Sequence, residues 1–241
     1  MQLIIDQGNT TTKYGLFDGH NFIESRRLSD NEWDEFLENE LASKPWEIFY
    51  SSVRSNAIPP QLLDLQATLM SRELRLPLEI DYSTPGSLGT DRIANAVGAL
   101  QLNPDRNSLI VDCGSCVTYS LINEKRFAGG AIAPGLRMRL RAMHEFTGAL
   151  PSIQQLSSNI ELIGKSTAAS LESGAYHGII AEIDGMIEKY CSQIGVLDVI
   201  MTGGDGGYLA AGLKNPIFAE PNLTLIGLNE IYLYNKSEKN S

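Results

Sequence analysis

The side chains best suited to handling phosphate stand in two short stretches. Asp6-Gln-Gly-Asn-Thr-Thr-Thr-Lys13 gathers a carboxylate, a glycine, the short polar residues Gln7, Asn9, Thr10, Thr11 and Thr12, and an ammonium group. Gly8 lets the main chain approach a ligand without a Cβ, and a tight turn presents backbone N–H groups to an anion. Lys13 adds a point charge of the kind that pairs with phosphate, and Asp6 offers hard oxygen to Mg²⁺, directly or through water. An ordinary hairpin turn with a polar tip would carry the same residues and no ligand.

The stretch has a second copy. Leu3-Ile-Ile-Asp6-x-Gly8-Asn-Thr10 aligns without a gap on Leu109-Ile-Val-Asp112-x-Gly114-Ser-Cys116, with Thr12 falling on Thr118 and Lys13 on Tyr119. The second turn therefore keeps Asp112, Gly114 and Ser115 but has no lysine. Two such acidic turns facing one ligand would repel unless cations lay between them. A third glycine cluster, Thr202-Gly-Gly-Asp-Gly-Gly207, would let a planar base or ribose approach the backbone, or would simply start a helix capped by Asp205.

Other candidates have plainer readings beside the chemical ones. Asp91, in Gly89-Thr-Asp-Arg92, stands at the start of a helical pattern, where the helix dipole favours a carboxylate; a phosphotransferase needs such a group to orient an acceptor hydroxyl and take its proton. Gly164-Lys-Ser-Thr167 ends like a phosphate-binding loop, but Asn159 stands where the first glycine of that pattern belongs and no strand leads into it. Cys113-Gly-Ser-Cys116 matches a redox or zinc pair in spacing. A strand rather than a helix follows it and His20, His144 and His177 are scattered, so packing in a turn is expected.

Each copy of the repeat reads as strand, turn, strand, and Phe22–Leu28 reads as a third strand. Helices are expected from Ser29 or Asp30 through Leu41, from Pro59-Pro60 with Leu62, Leu63, Leu65 and Leu69 near its inner face, over 91–102, over 135–147, over about 167–190 and at the C-terminus. Strands are expected at 48–53, 76–80 and 196–201. Arg137, Arg139 and Arg141 mark a solvated helix face. The expected fold is α/β, in two duplicated domains of residues 1–104 and 105–241 with a nucleotide cleft between them.

Composition narrows the function. The formal charge of −10 and the lack of clustered Lys and Arg speak against nucleic-acid and anionic-membrane partners. No run of about 18 uncharged apolar residues appears, and the N-terminus does not read as a signal peptide, so a soluble, cytoplasmic protein is expected.

Taken in order, Asp6-x-Gly-Asn-Thr-x-x-Lys13, Gly89-Thr-Asp-Arg92, Asp112-x-Gly-Ser-x-x-Thr118, Gly129-Gly-Ala-Ile-Ala-Pro-Gly135 and Gly164-Lys-Ser-Thr167 resemble the type III pantothenate kinases over essentially the whole chain. These belong to the acetate and sugar kinase, chaperone and actin superfamily. The resemblance implies two ribonuclease-H-like domains that grip Mg-ATP, transfer of phosphate to pantothenate giving 4′-phosphopantothenate, and a homodimer. It implies Asp91 as general base, and Tyr82, Gly89, Thr90, Arg92 and Thr167 as pantothenate contacts, Thr167 from across the dimer. Asp6 would help place Mg²⁺, and Asp112 would hold potassium or ammonium beside the phosphates. Ser115 replaces the family's usual threonine and Cys116 a small residue. A kinase for another small alcohol and a non-catalytic ATP-binding regulator are the rival readings.

Overall fold

The computed structural model describes residues 1–8, 11–41, 46–54 and 58–238. Asn9 and Thr10, both candidate phosphate ligands, lie outside them. The chain forms two compact units, one of residues 1–105, 123–128 and 222–241, the other of residues 106–122 and 129–221.

In the first unit, the apolar run Leu3-Ile4-Ile5 is buried on both faces of the central strand β1 (Gln2–Gln7). It pairs antiparallel with β2 (Thr12–Asp18), which pairs antiparallel with the edge strand β3 (Asn21–Leu28). On its other side β1 runs parallel to β4 (Glu47–Ser52), followed by the short β5 (Thr68–Leu69). Helix α1 (Asp30–Glu35) starts at a capping box, in which the Ser29 amide donates to Glu32 at 2.9 Å and Glu32's amide to the Ser29 hydroxyl at 3.5 Å. A π-helical turn continues it through Phe36–Glu40. Trp33, Phe36, Leu37 and Leu41 pack against Leu3, Ile5, Tyr14 and Leu16 of the sheet.

The proline-initiated helix α2 is shorter than its sequence suggests, only Pro60–Asp64. Leu62 is fully buried in the core, Leu63 and Leu65 are exposed, and Leu69 packs half-buried against the core from β5 rather than from the helix. The chain then forms the two-residue β6 (Glu79–Ile80) and helix α3 (Thr90–Leu102), which packs closely on the C-terminal helix α7 (Leu223–Glu238). Gly98 and Gly227 permit that approach. A Cβ on Gly98 would sit 2.5 Å from the Leu223 carbonyl oxygen, and one on Gly227 would overlap that of Ala94.

The second unit repeats the plan. Strands β7 (Ser108–Cys113) and β8 (Cys116–Asn123) form an antiparallel hairpin, and β10 (Asp198–Thr202) runs parallel to β7. The sheet order β11-β10-β7-β8-β9 reproduces β5-β4-β1-β2-β3 of the first, with β11 at Phe218–Ala219. Strand β9 (Arg126–Pro134) takes up the glycine-rich motif, which sequence reading left without an element; its first residues belong to the first unit, where they pair with β6. Helices α4 (Leu136–Glu145), α5 (Thr167–Ile194) and α6 (Gly206–Ala210) complete this unit. Leu140, Leu171, Ile179 and Ile183 pack onto Leu109, Val111 and Tyr119. The architecture is the expected α/β duplication of a ribonuclease-H-like sheet. Among the described residues no helix is long and apolar enough to cross a membrane.

Gly227→Ala should lower the stability of the folded chain by about 1–3 kcal/mol, the usual cost of overpacking a closed contact, read as a fall in urea midpoint at unchanged slope. Gly178, exposed within α5 with nothing within 4 Å of the place a Cβ would take, is the control: Gly178→Ala should stabilise by about 0.5–1 kcal/mol.

Candidate active site

Both carboxylates of the repeat interrupt an otherwise buried strand near its end. Asp6 is half-buried at the end of β1, opposite Lys13 on β2, and Asp112 is half-buried at the end of β7. Hydrogen bonds pin the first turn. The Gly8 amide donates to the Thr11 carbonyl at 3.0 Å, and the Val53 amide donates to the Gln7 carbonyl at 3.1 Å. The Gln7 side chain turns inward and accepts from the Tyr50 hydroxyl at 2.6 Å and from Ser52 at 3.0 Å, so it braces the turn from below. Burial raises the pKa of Tyr50, keeping that hydroxyl a donor.

Arg54, which no sequence motif marks, clasps the same turn. Its Nε donates to the Gly8 carbonyl at 2.8 Å, and its Nη2 pairs with Asp30 at 2.9 Å at the start of α1. Its distance from the motif in sequence hides this role; only the parallel pairing of β4 with β1 brings Arg54 to the turn.

The two hairpins differ by one residue, which corrects the gapless alignment. Four residues separate the last paired residues Gln7 and Thr12, and three separate Cys113 and Val117. Consequently Thr118, not Tyr119, stands opposite Asp112 as Lys13 stands opposite Asp6. A one-residue slip inverts the faces of a strand. Thr12 is 0% exposed and its hydroxyl has no hydrogen-bond partner, whereas Thr118 is half-exposed and Tyr119 is buried.

Around the second turn the main chain crowds together. The Gly114 amide donates to the Cys116 carbonyl at 2.9 Å, and the Gly135 amide donates to the Ser115 carbonyl at 3.1 Å. A Cβ on Gly135 would lie 2.6 Å from that Ser115 oxygen, so the start of α4 rests on the turn and Ser115 is left exposed. Gly203, at φ 91°, adopts the left-handed conformation beside Asp112; a Cβ there would lie 2.5 Å from Asp112 Oδ1. The next residue but one, Asp205, donates its amide to the Cys113 carbonyl at 2.9 Å, but its side chain does not cap α6. Arg139 is likewise not simply solvated: its Nη2 meets Glu182 at 2.6 Å and its Nε donates to the Pro134 carbonyl at 2.9 Å.

The acceptor element gathers around a ring that sequence reading missed. Gly89 caps α3 in an extended conformation, a Cβ there would collide with the Asp91 carboxylate, and Asp91 Oδ1 accepts from the Arg92 amide at 2.8 Å. Thr90, at the helix's first position, is half-buried. Arg92, only 5% exposed, stacks its guanidinium over Phe127 at 5.2 Å, and Tyr82 meets the same ring edge-on at 5.9 Å. Thr167 lies apart from these residues in sequence and in unit, exposed in the first turn of α5 and following the cap Ser166, whose hydroxyl accepts from Ala169 at 3.1 Å.

Cys113 is buried, and its thiol is pushed up to about 12 from an ordinary 9.0, by burial first and then by the Asp112 and Asp205 carboxylates. In the folded chain it therefore binds its proton more tightly than in the unfolded chain. That contribution to stability is complete below pH 9 and is lost as pH rises from about 9 towards 12. Burial raises Tyr119 as well, so urea stability should fall over the same alkaline range. Cys113→Ala should flatten the part of the fall that begins near pH 9. Iodoacetamide at pH 8 should modify Cys113 only after denaturation, as read by peptide mass spectrometry.

Comparison with known proteins shows the family. A family model for type III pantothenate kinase matches residues 2–189. Type III pantothenate kinases of Cytophaga hutchinsonii and Christiangramia forsetii are 41% and 38% identical, over 98% and 99% of this chain and 100% of each relative. Among solved structures, a Baf family protein from Campylobacter jejuni superposes with a TM-score of 0.65 at 24% identity, covering 99% of this chain and 100% of that one. A polyphosphate/ATP-glucomannokinase from an Arthrobacter strain gives 0.52 at 12% identity, over 97% and 98%, a likeness of fold alone. This chain belongs to the type III pantothenate kinase family, and it is an ATP- and divalent-metal-dependent enzyme that phosphorylates pantothenate in coenzyme A biosynthesis.

Proposed function

We propose that Asp91 is the general base of this reaction, giving 4′-phosphopantothenate; the observation that carries the assignment is its half-buried place in the first turn of α3, one residue from the stacked Arg92. Its Oδ1 is held by the Arg92 amide, which leaves Oδ2 to accept the proton of the primary hydroxyl while that oxygen attacks the γ-phosphate. Gly89, Thr90, Arg92 and Tyr82 bind pantothenate, the guanidinium suiting its carboxylate. In the first turn, Thr11 and Lys13 receive phosphate oxygens, while Gly8, whose amide and carbonyl are committed to Thr11 and Arg54, acts with Gln7, Thr12 and Arg54 from within to set the turn's shape.

Metal ions fit the donor sets present. Asp6 and Asp112 are half-exposed carboxylates beside glycine turns, hard oxygen donors suited to Mg²⁺ and to a monovalent cation respectively. Bound Mg²⁺ supplies charge neutralisation on the phosphates. Asp112 holds potassium or ammonium, with Ser115 and Thr118 supplying hydroxyls in the second turn. The residues' own task is to place the acceptor and donor in line, where most of the rate advantage of phosphoryl transfer originates.

The enzyme works as a cytoplasmic homodimer. Met138, Ala142, Met143 and Phe146 of α4 and the following turn line an open cavity of about 700 Å³ with Ala175 of α5, and Phe146 is 85% exposed, an apolar surface that a second copy would cover. Thr167 then completes the partner's pantothenate pocket.

Pantothenate-dependent ADP release should exceed its sodium-buffer rate in potassium, and Asp91→Asn should cut kcat by about 10²–10⁴ while MgATP still binds. Turnover undiminished in Asp91→Asn would remove it as the base. Phe146→Glu should shift sedimentation to the monomer and weaken pantothenate use; a monomer with full activity would refute the shared pocket.

A further inference from the structure

Phe127 belongs to no motif of the sequence and lies 35 residues beyond Arg92, yet it is fully buried between the two side chains on which pantothenate recognition is proposed to rest. Its ring takes the Arg92 guanidinium on its face and Tyr82 at its edge. Its backbone is equally committed. Phe127 pairs with Ile80 across the β6–β9 ladder, and its carbonyl accepts the Asp81 amide at 3.0 Å, immediately before Tyr82. One residue thus fixes the strand that leads into Tyr82, the ring of Tyr82 and the guanidinium of Arg92, all within the first unit.

We infer that Phe127 is a positioning residue for pantothenate, holding Arg92 by a cation–π contact so that the guanidinium meets the substrate edge-on. The physical reason lies in the shape of arginine. All its N–H donors lie in the guanidinium plane, so a face stacked on a ring costs none of them. A burial this deep also strengthens attraction to the quadrupole of the ring, because water no longer competes. Without the ring, Arg92 would lose one of the contacts that hold it in place before binding, and affinity would fall by the added ordering entropy. Tyr82, braced on the same ring, would lose its place together with Arg92. Leucine would fill much of the space but offer neither face nor edge.

This inference rests on the proposed role of Arg92, and the experiment separates the two. Phe127 is replaced by mono-, di- and trifluorophenylalanine, which progressively weaken the quadrupole at nearly constant shape, alongside Phe127→Leu and Arg92→Gln. KM for pantothenate, KM for MgATP, kcat and thermal midpoint are measured for each. The expected result is a KM for pantothenate that climbs stepwise with fluorination to about three- to thirtyfold, the range implied by losing a desolvated cation–π contact, at constant MgATP KM and near-constant kcat, with a thermal midpoint that falls slightly because the contact is already made in the free protein. Phe127→Leu should match or exceed the trifluoro variant. A pantothenate KM that stays flat across the fluorinated series while Arg92→Gln raises it would overturn the role of Phe127 and leave that of Arg92 standing. An Arg92→Gln enzyme with unchanged pantothenate KM would overturn both.

Discussion

The cost of burying a carboxylate organises both units. Strands β1 and β7 are apolar on both faces because each has neighbours on either side and helices packing the sheet, and an ionised aspartate inside such a layer would go unsolvated. Asp6 and Asp112 therefore stand half-buried one residue before each strand's last paired residue, Gln7 and Cys113, after which the turn begins. In open α/β sheets this carboxyl edge is where ligands are met, since backbone N–H groups and strand-end side chains converge on it. The acidic residues are thus both the boundary of the core and the start of the reactive edge.

What surrounds those ends differs between the copies, and the difference is chemical. The four-residue turn of the first hairpin puts Lys13 across from Asp6, an ammonium beside a carboxylate; the three-residue turn of the second puts Thr118 across from Asp112. One copy carries its own cation, and the other offers oxygen donors only. The shared scaffold thus carries two differently charged ends, and a difference of one turn residue sets which residue faces each carboxylate. Supporting contacts are likewise unequal: Arg54 grips the first turn from a parallel neighbour strand, while Gly135 and Gly203 crowd main chain onto the second.

The acceptor half depends on packing of another kind. Helix α3 carries Asp91 and Arg92 at its start, and the position of that start is set by the close approach of α3 to α7, possible only because Gly98 and Gly227 lack side chains. A helix closed onto its neighbour at backbone distance has little freedom to slide, so Asp91, proposed as the general base, inherits the rigidity of the core. Phe127 then fixes the other side of the same element.

Much of this was legible in the residues themselves. Apolar runs ending in Asp-x-Gly marked the central strands, the spacing of Trp33, Phe36, Leu37 and Leu41 marked a helix, and the ordered motifs marked the family, because periodicity and local turn chemistry are written in neighbouring residues. The proline-led helix ran too long because Leu63 and Leu65 obey a spacing that the tertiary structure does not use, while Leu69 meets the core from a strand. The hairpin slip was invisible because identical letters aligned without a gap while hydrogen bonding counted turn residues differently. Arg54, Arg139 and Phe127 were hidden for a single reason: each acts on residues distant in sequence, through a parallel strand, a helix pair or a short edge ladder. The sequence by itself determined the family and the candidate side chains for phosphate, metal and acceptor; the tertiary structure decided which of them face outward and what holds them still, since orientation arises from pairing register and packing, which no local stretch contains.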